Sequence, residues 1–191
     1  MNRTPSLETI REFVIAGHFD LPKVQQLLLE QPELLNASYE WGPGDHETAL
    51  QAAAHIGSSA IAEYLLAQGA PLDICTAAML GRVKDVERYL RDDPDSNRAT
   101  GAHGIPLLAH AALSGSVELL QILLQNGARE GISFALGNAV GKGHVELSRW
   151  LLENEKPDLG WKDFEGKSLL EIAAEHHYEE IAGLLLAHGA V

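Results

Sequence analysis

The chain has 191 residues and a formal net charge of −13, from 14 Lys and Arg against 27 Asp and Glu, which argues against nucleic acid or an anionic lipid surface as a partner. A hydrophobic fraction of 46% predicts a folded chain of one or at most two domains, and its one cysteine, Cys75, excludes an internal disulfide and a cysteine-based zinc site. The first residues lack the apolar core of a signal peptide and no run nears the roughly 20 apolar residues of a membrane span, so we expect a reduced, cytoplasmic protein with no membrane partner.

One short pattern occurs six times along the chain: a pair of small residues is followed, always 12 positions later, by an apolar pair. The small pairs are Ile15-Ala16, Ala53-Ala54, Ala77-Ala78, Ala111-Ala112, Ala139-Val140 and Ala173-Ala174. The apolar pairs are Leu27-Leu28, Leu65-Leu66, Tyr89-Leu90, Leu123-Leu124, Leu151-Leu152 and Leu185-Leu186. Successive units are 24 to 38 residues apart, so the pattern predicts a rigid two-element module joined by loops of different length.

Each module is predicted to be a pair of helices. Residues 115–127 have the apolar spacing of a helix buried on most of its circumference, and Gly127 supplies a left-handed C-terminal stop. The alanine pairs lie on a shorter first helix, where only a methyl group fits between stacked neighbours. Glycines three residues after the pairs suit tight turns, at Gly57, Gly81, Gly115 and Gly143. The predicted units, in a single domain 1–191, are about 7–35, 45–70, 71–94, 103–128, 131–156 and 164–190.

Three segments are the best matches to one known repeat signature, Thr-Pro-Leu-His-x-Ala-Ala. They are Thr48-Ala49-Leu50-Gln51-Ala52-Ala53-Ala54, Pro106-Leu107-Leu108-Ala109-His110-Ala111-Ala112 and Gly166-Lys167-Ser168-Leu169-Leu170-Glu171-Ile172-Ala173-Ala174, and Gly143-His144 keeps the Gly-His step that follows. With them the sequence resembles the ankyrin repeat family, whose 33-residue repeat has a β-turn and two helices. The resemblance covers roughly residues 7–190. It implies an all-α, ankyrin-type α-solenoid of six helix-pair repeats with irregular β-turn fingers.

The loops between units predict which fingers are present. The short steps before units three and five leave too few residues for a finger, whereas residues 36–46 form a long loop before unit two. We therefore expect fingers before units two, four and six and none before three and five, with a concave face more open than in a regular array.

No stretch of the sequence forms a recognisable active site. Residues 137–143 lack the glycine spacing and the Ser or Thr of a Walker phosphate loop and indicate a glycine-rich helical turn. No two of the nine histidines have the i,i+4 spacing of metal ligands on a helix, which favours surface or turn positions. Cys75 is interpreted as a small core residue. We therefore expect no catalytic residue, no cofactor and no metal.

The resemblance implies a protein–protein interaction module that presents a concave binding surface to a protein partner, without catalysis. One alternative is a regulatory or assembly subunit that acts through self-association, and another is a small enzyme on a solenoid scaffold. In the family the contacts come from finger tips and from positions just before the turns. Carried over to this sequence, the partner-binding residues are Tyr39, Trp41, His46, His55, Ile56, Met79, Leu80, His103, Leu113, Trp161 and Phe164.

Two more specific expectations concern apolar surface. Ile56, Met79, Leu80 and Leu113 are expected to form an exposed strip that binds a basic, apolar-anchored protein segment, unless the 39–46 loop covers it. Tyr39, Trp41 and Trp161 have the alternative role of only anchoring their loops. The three consecutive leucines 184–186 cannot all face inward, which predicts a weak homodimer through the C-terminal helix.

Overall fold

The computed structural model describes residues 4–191, and in this part of the chain twelve α-helices follow one another as six pairs. The first three pairs are α1 (Leu7–Phe19) with α2 (Leu21–Glu30), α3 (Ala49–Ile56) with α4 (Ser59–Ala67), and α5 (Ile74–Met79) with α6 (Val83–Asp92). The last three are α7 (Leu107–Leu113) with α8 (Val117–Gln125), α9 (Ile132–Gly141) with α10 (Val145–Asn154), and α11 (Leu169–Glu175) with α12 (Glu179–Ala187). The predicted six helix pairs are confirmed. Residues 1–3, the start of the predicted domain 1–191, lie outside the described residues.

The first helix of each pair contacts the first helix of the next, from α1 to α11, which makes the molecule an all-α solenoid. The alanine pairs lie at these contacts, and Ala53, Ala77 and Ala112 are each fully buried. In unit one the close approach is made at Gly17, where a Cβ would lie 2.6 Å from the carbonyl oxygen of Ala49. Only small residues therefore fit between successive first helices. Ala174, on the last of the described first helices, is exposed.

The turns inside the pairs follow the glycine pattern. Gly57, Gly81, Gly115 and Gly143 have φ between 67° and 75°, in the left-handed region that glycine adopts without a steric penalty. Unit six has no glycine at this position, and His177 adopts φ 56° instead. Six of the twelve helices start at a side-chain cap, as at Ser116, whose Oγ accepts a hydrogen bond from the Leu119 N–H at 3.1 Å.

The fingers are irregular, as predicted. A hairpin of β1 (Ser38–Gly42) and β2 (Asp45–Thr48) precedes α3, with Tyr39 opposite Glu47 and a register shift after Glu40. Single antiparallel bridges, Thr100 with Pro106 and Lys162 with Ser168, precede α7 and α11. Within 4–191, no strand or bridge precedes α5 or α9, so the expected alternation of fingers is confirmed.

The missing finger of unit three has a structural consequence. Strand β2 of the unit-two finger contacts the short 3-10 helix Ala102–Gly104 in the finger of unit four. His103 makes this contact, because its backbone N–H donates to Asp45 Oδ1 at 3.2 Å and its ring Nδ1 lies 2.8 Å from Asp45 Oδ2. Two units that are not neighbours in the chain therefore touch through their fingers.

Two of the other interpretations concern single segments. Residues 137–143 form the end of α9 and its turn, as predicted, and Cys75 is buried in α5, where burial raises the pKa of its thiol. As for membrane insertion, none of the helices found between residues 4 and 191 has the length and hydrophobicity to cross a bilayer.

Candidate functional site

A groove of about 290 Å³ lies on the face formed by the first helices and the fingers, and its lining extends from unit two to unit six. Five of the predicted contact residues line it together: His55, Ile56, Leu113, Trp161 and Phe164. Ile56 is 40% exposed, whereas Leu113 is only half-buried against the neighbouring units. The structure therefore gathers residues that are more than a hundred positions apart along the chain into one concave surface.

An aromatic cluster forms one wall of the groove. The ring of Phe134, on α9, lies 5.5 Å from that of Trp161 and 5.8 Å from that of Phe164, measured between centroids. Trp161 lies directly on Gly137, where an added Cβ would come within 2.3 Å of the indole ring. Trp161 therefore anchors its finger to α9, whereas Phe164 remains 82% exposed at the groove edge.

The charged side chains around the groove are mainly acidic. Three carboxylates, Asp163, Glu165 and Glu175, line it with two lysines, Lys142 and Lys167. Lys167 Nζ lies 2.8 Å from Glu165 and 2.6 Å from Glu175, and these hydrogen bonds raise the pKa of Lys167. Because that lysine is held by two of the acids, the groove edge carries a small net negative charge.

A second feature, at the other end of the same face, is a cluster of histidines around one buried carboxylate. His18 lies at the end of α1, Glu47 on β2, His55 near the end of α3, and His103 in the unit-four finger. Glu47 Oε1 lies 2.8 Å from His55 Nε2, 3.7 Å from His18 Nε2 and 3.4 Å from His103 Nε2. The Nε2 atoms of His18 and His55 are 3.2 Å apart. We call these four residues the histidine cluster.

Hydrogen bonds hold the carboxylate of Glu47 in place. The Trp41 Nε1–H donates to Glu47 Oε2 at 2.7 Å, which leaves Oε1 facing the histidines. Burial works to raise the pKa of Glu47, but the hydrogen bonds from His55 and Trp41 and the positive charge available on His55 and His18 outweigh it and hold the pKa below its ordinary value. Glu47 is therefore a buried carboxylate in its charged form.

The remaining predicted contact residues lie on the fingers or within α5. Tyr39 and Trp41 stack edge to face at 4.8 Å, and Trp41 is 37% exposed with Arg11 above its ring. His46 is exposed, because it alternates with Glu47 along β2 and points the other way. Leu80 is half-buried at the end of α5.

Two predictions about burial are wrong. Met79 was expected in an exposed strip, but it is only 2% exposed, because it packs into the core of units one and two, where Ser59 Oγ lies 3.7 Å from its sulfur. His110 was expected at the surface or in a turn, but it is buried in α7 with its Nδ1–H donated to the Pro106 carbonyl oxygen at 3.1 Å. Neither position could be read from spacing along the chain, since packing between units decides it.

The histidine cluster was not recognised from the sequence. Its members are at positions 18, 47, 55 and 103, in three different units, so no local spacing joins them. The one available signal is the missing finger of unit three, which lets the fingers of units two and four meet.

Comparison with protein families gives two matches, both to ankyrin repeats. A model of three ankyrin repeats matches residues 108–191, and a model of a single ankyrin repeat matches residues 45–77. Together they cover more than half of the chain and coincide with units two, four, five and six. Residues 78–107 are not matched, although the structure places the greater part of the α5 and α6 pair there. No curated protein matches the chain.

Proposed function

The chain belongs to the ankyrin repeat family, whose repeats are generally protein–protein interaction modules, and from this premise we propose that it binds a protein segment in the groove between units two and six. The observation that carries the proposal is Phe164, a large apolar side chain 82% exposed beside the aromatic pair Phe134 and Trp161. An exposed apolar cluster in a concave surface is typical of a binding site.

The partner is a segment with an apolar anchor and a basic flank. Phe164 and Ile56 offer apolar contact at two ends of the groove, and Asp163 and the Lys167-linked acids supply negative charge at its edge. The whole chain carries a net charge of −13, which steers basic partners toward it. Tyr39, Trp41 and His46, in the finger of unit two, and Leu80, in unit three, extend the proposed contact surface. Met79 does not contribute, since it is buried.

Binding without catalysis is the function that the groove chemistry favours. No Ser, Thr or Cys is among the residues that line the groove, and two of its three acids, Glu165 and Glu175, are exposed to water. General acid or base catalysis needs a carboxyl or imidazole group whose pKa is matched to the reaction, usually by burial. We also propose a reducing, cytoplasmic location, which suits the free thiol of Cys75.

The groove is tested by selecting random peptides on the immobilised protein and measuring their affinities by fluorescence anisotropy. Selected peptides should combine an aromatic or aliphatic anchor with Lys or Arg. Phe164→Ser should weaken the affinity for these peptides about tenfold or more, which corresponds to about 1.4 kcal/mol of binding free energy. Phe19→Ser is the matched control, because Phe19 is 76% exposed on α1, away from the groove, and should change nothing. Equal affinities for parent and Phe164→Ser would place the binding surface elsewhere.

Self-association is a second candidate function, favoured by the last helix. Of the three consecutive leucines in α12, Leu185 is buried, Leu184 is half-buried and Leu186 is 60% exposed on the terminal unit. Terminal repeats usually carry a polar outer face, because no neighbour covers them. We propose on this basis a weak homodimer through α12.

A further inference from the structure

We propose that His18, Glu47 and His55 bind one transition-metal ion of the Zn²⁺ class, with His103 beside the fourth coordination position. The proposal does not rest on the protein-binding function, although His55 also lines the groove. Among the described residues, this is the one group in which histidine and carboxylate ligand atoms converge, all within 4.8 Å of one another.

The separations between the three ligand atoms suit a tetrahedral ion. Zn²⁺ binds His nitrogen and carboxylate oxygen at about 2.0–2.2 Å, so two ligand atoms of a tetrahedral site are about 3.3 Å apart. Here the separations are 2.8 Å between Glu47 Oε1 and His55 Nε2, 3.2 Å between His55 Nε2 and His18 Nε2, and 3.7 Å between His18 Nε2 and Glu47 Oε1. Small side-chain movements would bring all three to one ion.

The outer hydrogen bonds of the histidines fix which nitrogen faces the site. His18 Nδ1 lies 3.1 Å from the Val14 carbonyl oxygen and 3.2 Å from that of Ile15. A carbonyl oxygen only accepts, so the proton of the neutral ring is on Nδ1 and the Nε2 lone pair points at Glu47. His103 is held in the same way by Asp45, 2.8 Å from its Nδ1. Metal-bound histidines typically donate their second N–H to a carbonyl or a carboxylate in this manner.

The cluster therefore has more acceptors than donors. Glu47 Oε1 and the Nε2 lone pairs of His18 and His103 all point inward, and only His55 Nε2 can donate a proton to them while the rings are neutral. A metal ion placed among these atoms would be bound by the inward-facing lone pairs.

The donor set selects the class of metal. Two or three imidazole nitrogens and one carboxylate oxygen suit Zn²⁺ and related transition metals, whereas Ca²⁺ and Mg²⁺ prefer sites made of oxygens alone. Glu47 would bind through Oε1 only, because Oε2 accepts the Trp41 N–H. A bound ion would cross-link units one and two and, through His103, the finger of unit four.

The test uses the purified full chain, stripped with a chelator and dialysed, and titrated with ZnSO₄ by calorimetry and with CoCl₂ by visible absorbance. We expect one Zn²⁺ per chain with a Kd below about 1 µM. Bound Co²⁺ should give the intense visible bands of a tetrahedral site, and Zn²⁺ should raise the Tm.

His18→Gln and His55→Gln should each weaken Zn²⁺ binding about 100-fold or more, and His103→Gln about tenfold or more.

His46→Gln is the matched control, because His46 neighbours Glu47 on the same strand but is exposed on the other face of that strand. The Zn²⁺ affinity of this variant should equal that of the parent. Circular dichroism checks that every variant is folded. The His103→Gln change, in a side chain that is 34% exposed, keeps the test valid if the substitutions at the part-buried His18 and His55 disturb folding. A folded parent with no Zn²⁺ binding up to about 100 µM would overturn the proposal. Unchanged affinity in His18→Gln and His55→Gln would also overturn it.

Discussion

At the scale of single residues, the part-buried His55 and the buried His110 differ in what surrounds them. His55 faces a carboxylate 2.8 Å away, whereas His110 has one hydrogen bond to the Pro106 carbonyl and a buried Nε2 with no protein partner. His110 also lies against Gly101, where an added Cβ would come within 2.6 Å of its ring. Burial lowers the pKa of His110 to about 4, so this ring is neutral in the folded protein at pH 7.

His110 should make stability depend on pH. In the unfolded chain its pKa returns to about 6.5, so between pH 6.5 and about 4 the unfolded state binds a proton that the folded state does not. The free energy of unfolding should therefore fall as the pH drops through this window, by up to about 3 kcal/mol from this residue. Urea denaturation of metal-free protein at pH 7 and pH 4.5 measures the change. His110→Gln should flatten this dependence, whereas the exposed His188→Gln should leave it intact.

At the scale of helices, small residues set how closely the units stack, and side-chain caps set where helices begin. Ala112 is fully buried on α7, which lies between α5 and α9, whereas the equivalent Ala174 on α11 is exposed. An alanine at the same position of the repeat is therefore buried between neighbouring helices in the interior of the array and exposed at its end.

Ala112→Leu should overpack the stack and lower the free energy of unfolding by about 1–3 kcal/mol. Ala174→Leu makes the same change at an exposed position and should alter stability by less than about 0.5 kcal/mol. Chemical denaturation of both variants beside the parent makes the comparison. Equal losses would mean that α7 tolerates a larger residue and that its packing is looser than the structure indicates.

The N-terminus of α8 offers a capping test. Ser116 Oγ accepts the Leu119 N–H at 3.1 Å, so Ser116→Ala should cost about 1 kcal/mol of unfolding free energy. Ser116→Asp keeps an oxygen acceptor at the cap and should remain close to the parent. Thermal and urea denaturation would measure both. Loss of stability in Ser116→Asp equal to that in Ser116→Ala would contradict the capping role.

At the scale of the whole molecule, the two proposed sites share His55 but otherwise depend on different units. The histidine cluster belongs to units one, two and four, whereas the aromatic wall of the groove belongs to units five and six. Because repeats contact mainly their neighbours, the two ends of a solenoid are only weakly dependent on each other.

A chain shortened to residues 1–128 should therefore remain helical and keep one Zn²⁺ site, but it should lose its affinity for the peptides selected on the full chain. On the same sample, circular dichroism measures helical structure, calorimetry measures Zn²⁺ binding and fluorescence anisotropy measures peptide affinity. Loss of helical structure in the shortened chain would show that units one to four need the later units in order to fold. Retention of full peptide affinity would place the binding surface outside units five and six.

The proposed homodimer is tested by light scattering after size exclusion at several concentrations. The mass of the parent should rise with concentration, and Leu186→Lys should remain a monomer, because it places a charge on the exposed apolar face of α12. Leu29→Lys is the control, since Leu29 is 85% exposed on α2 at the other end of the array. A parent that is monomeric throughout would exclude the dimer.

The sequence by itself determined the units, their turns and their fingers. The constant offset of 12 residues, the turn glycines and the lengths of the connecting loops are local, because helix formation, left-handed turns and loop lengths depend on residues close together in the chain. They predicted six helix pairs and the absence of two fingers.

The tertiary structure alone decided the burial of Met79 and His110 and the convergence of His18, Glu47, His55 and His103. Each of these depends on contacts between units, and the cluster depends on two fingers that meet across a unit that has none. Such contacts join residues up to 85 positions apart, from His18 to His103, and no periodicity in the sequence specifies them. Packing between units, which local patterns do not encode, therefore determined where the chemically active side chains of this protein lie.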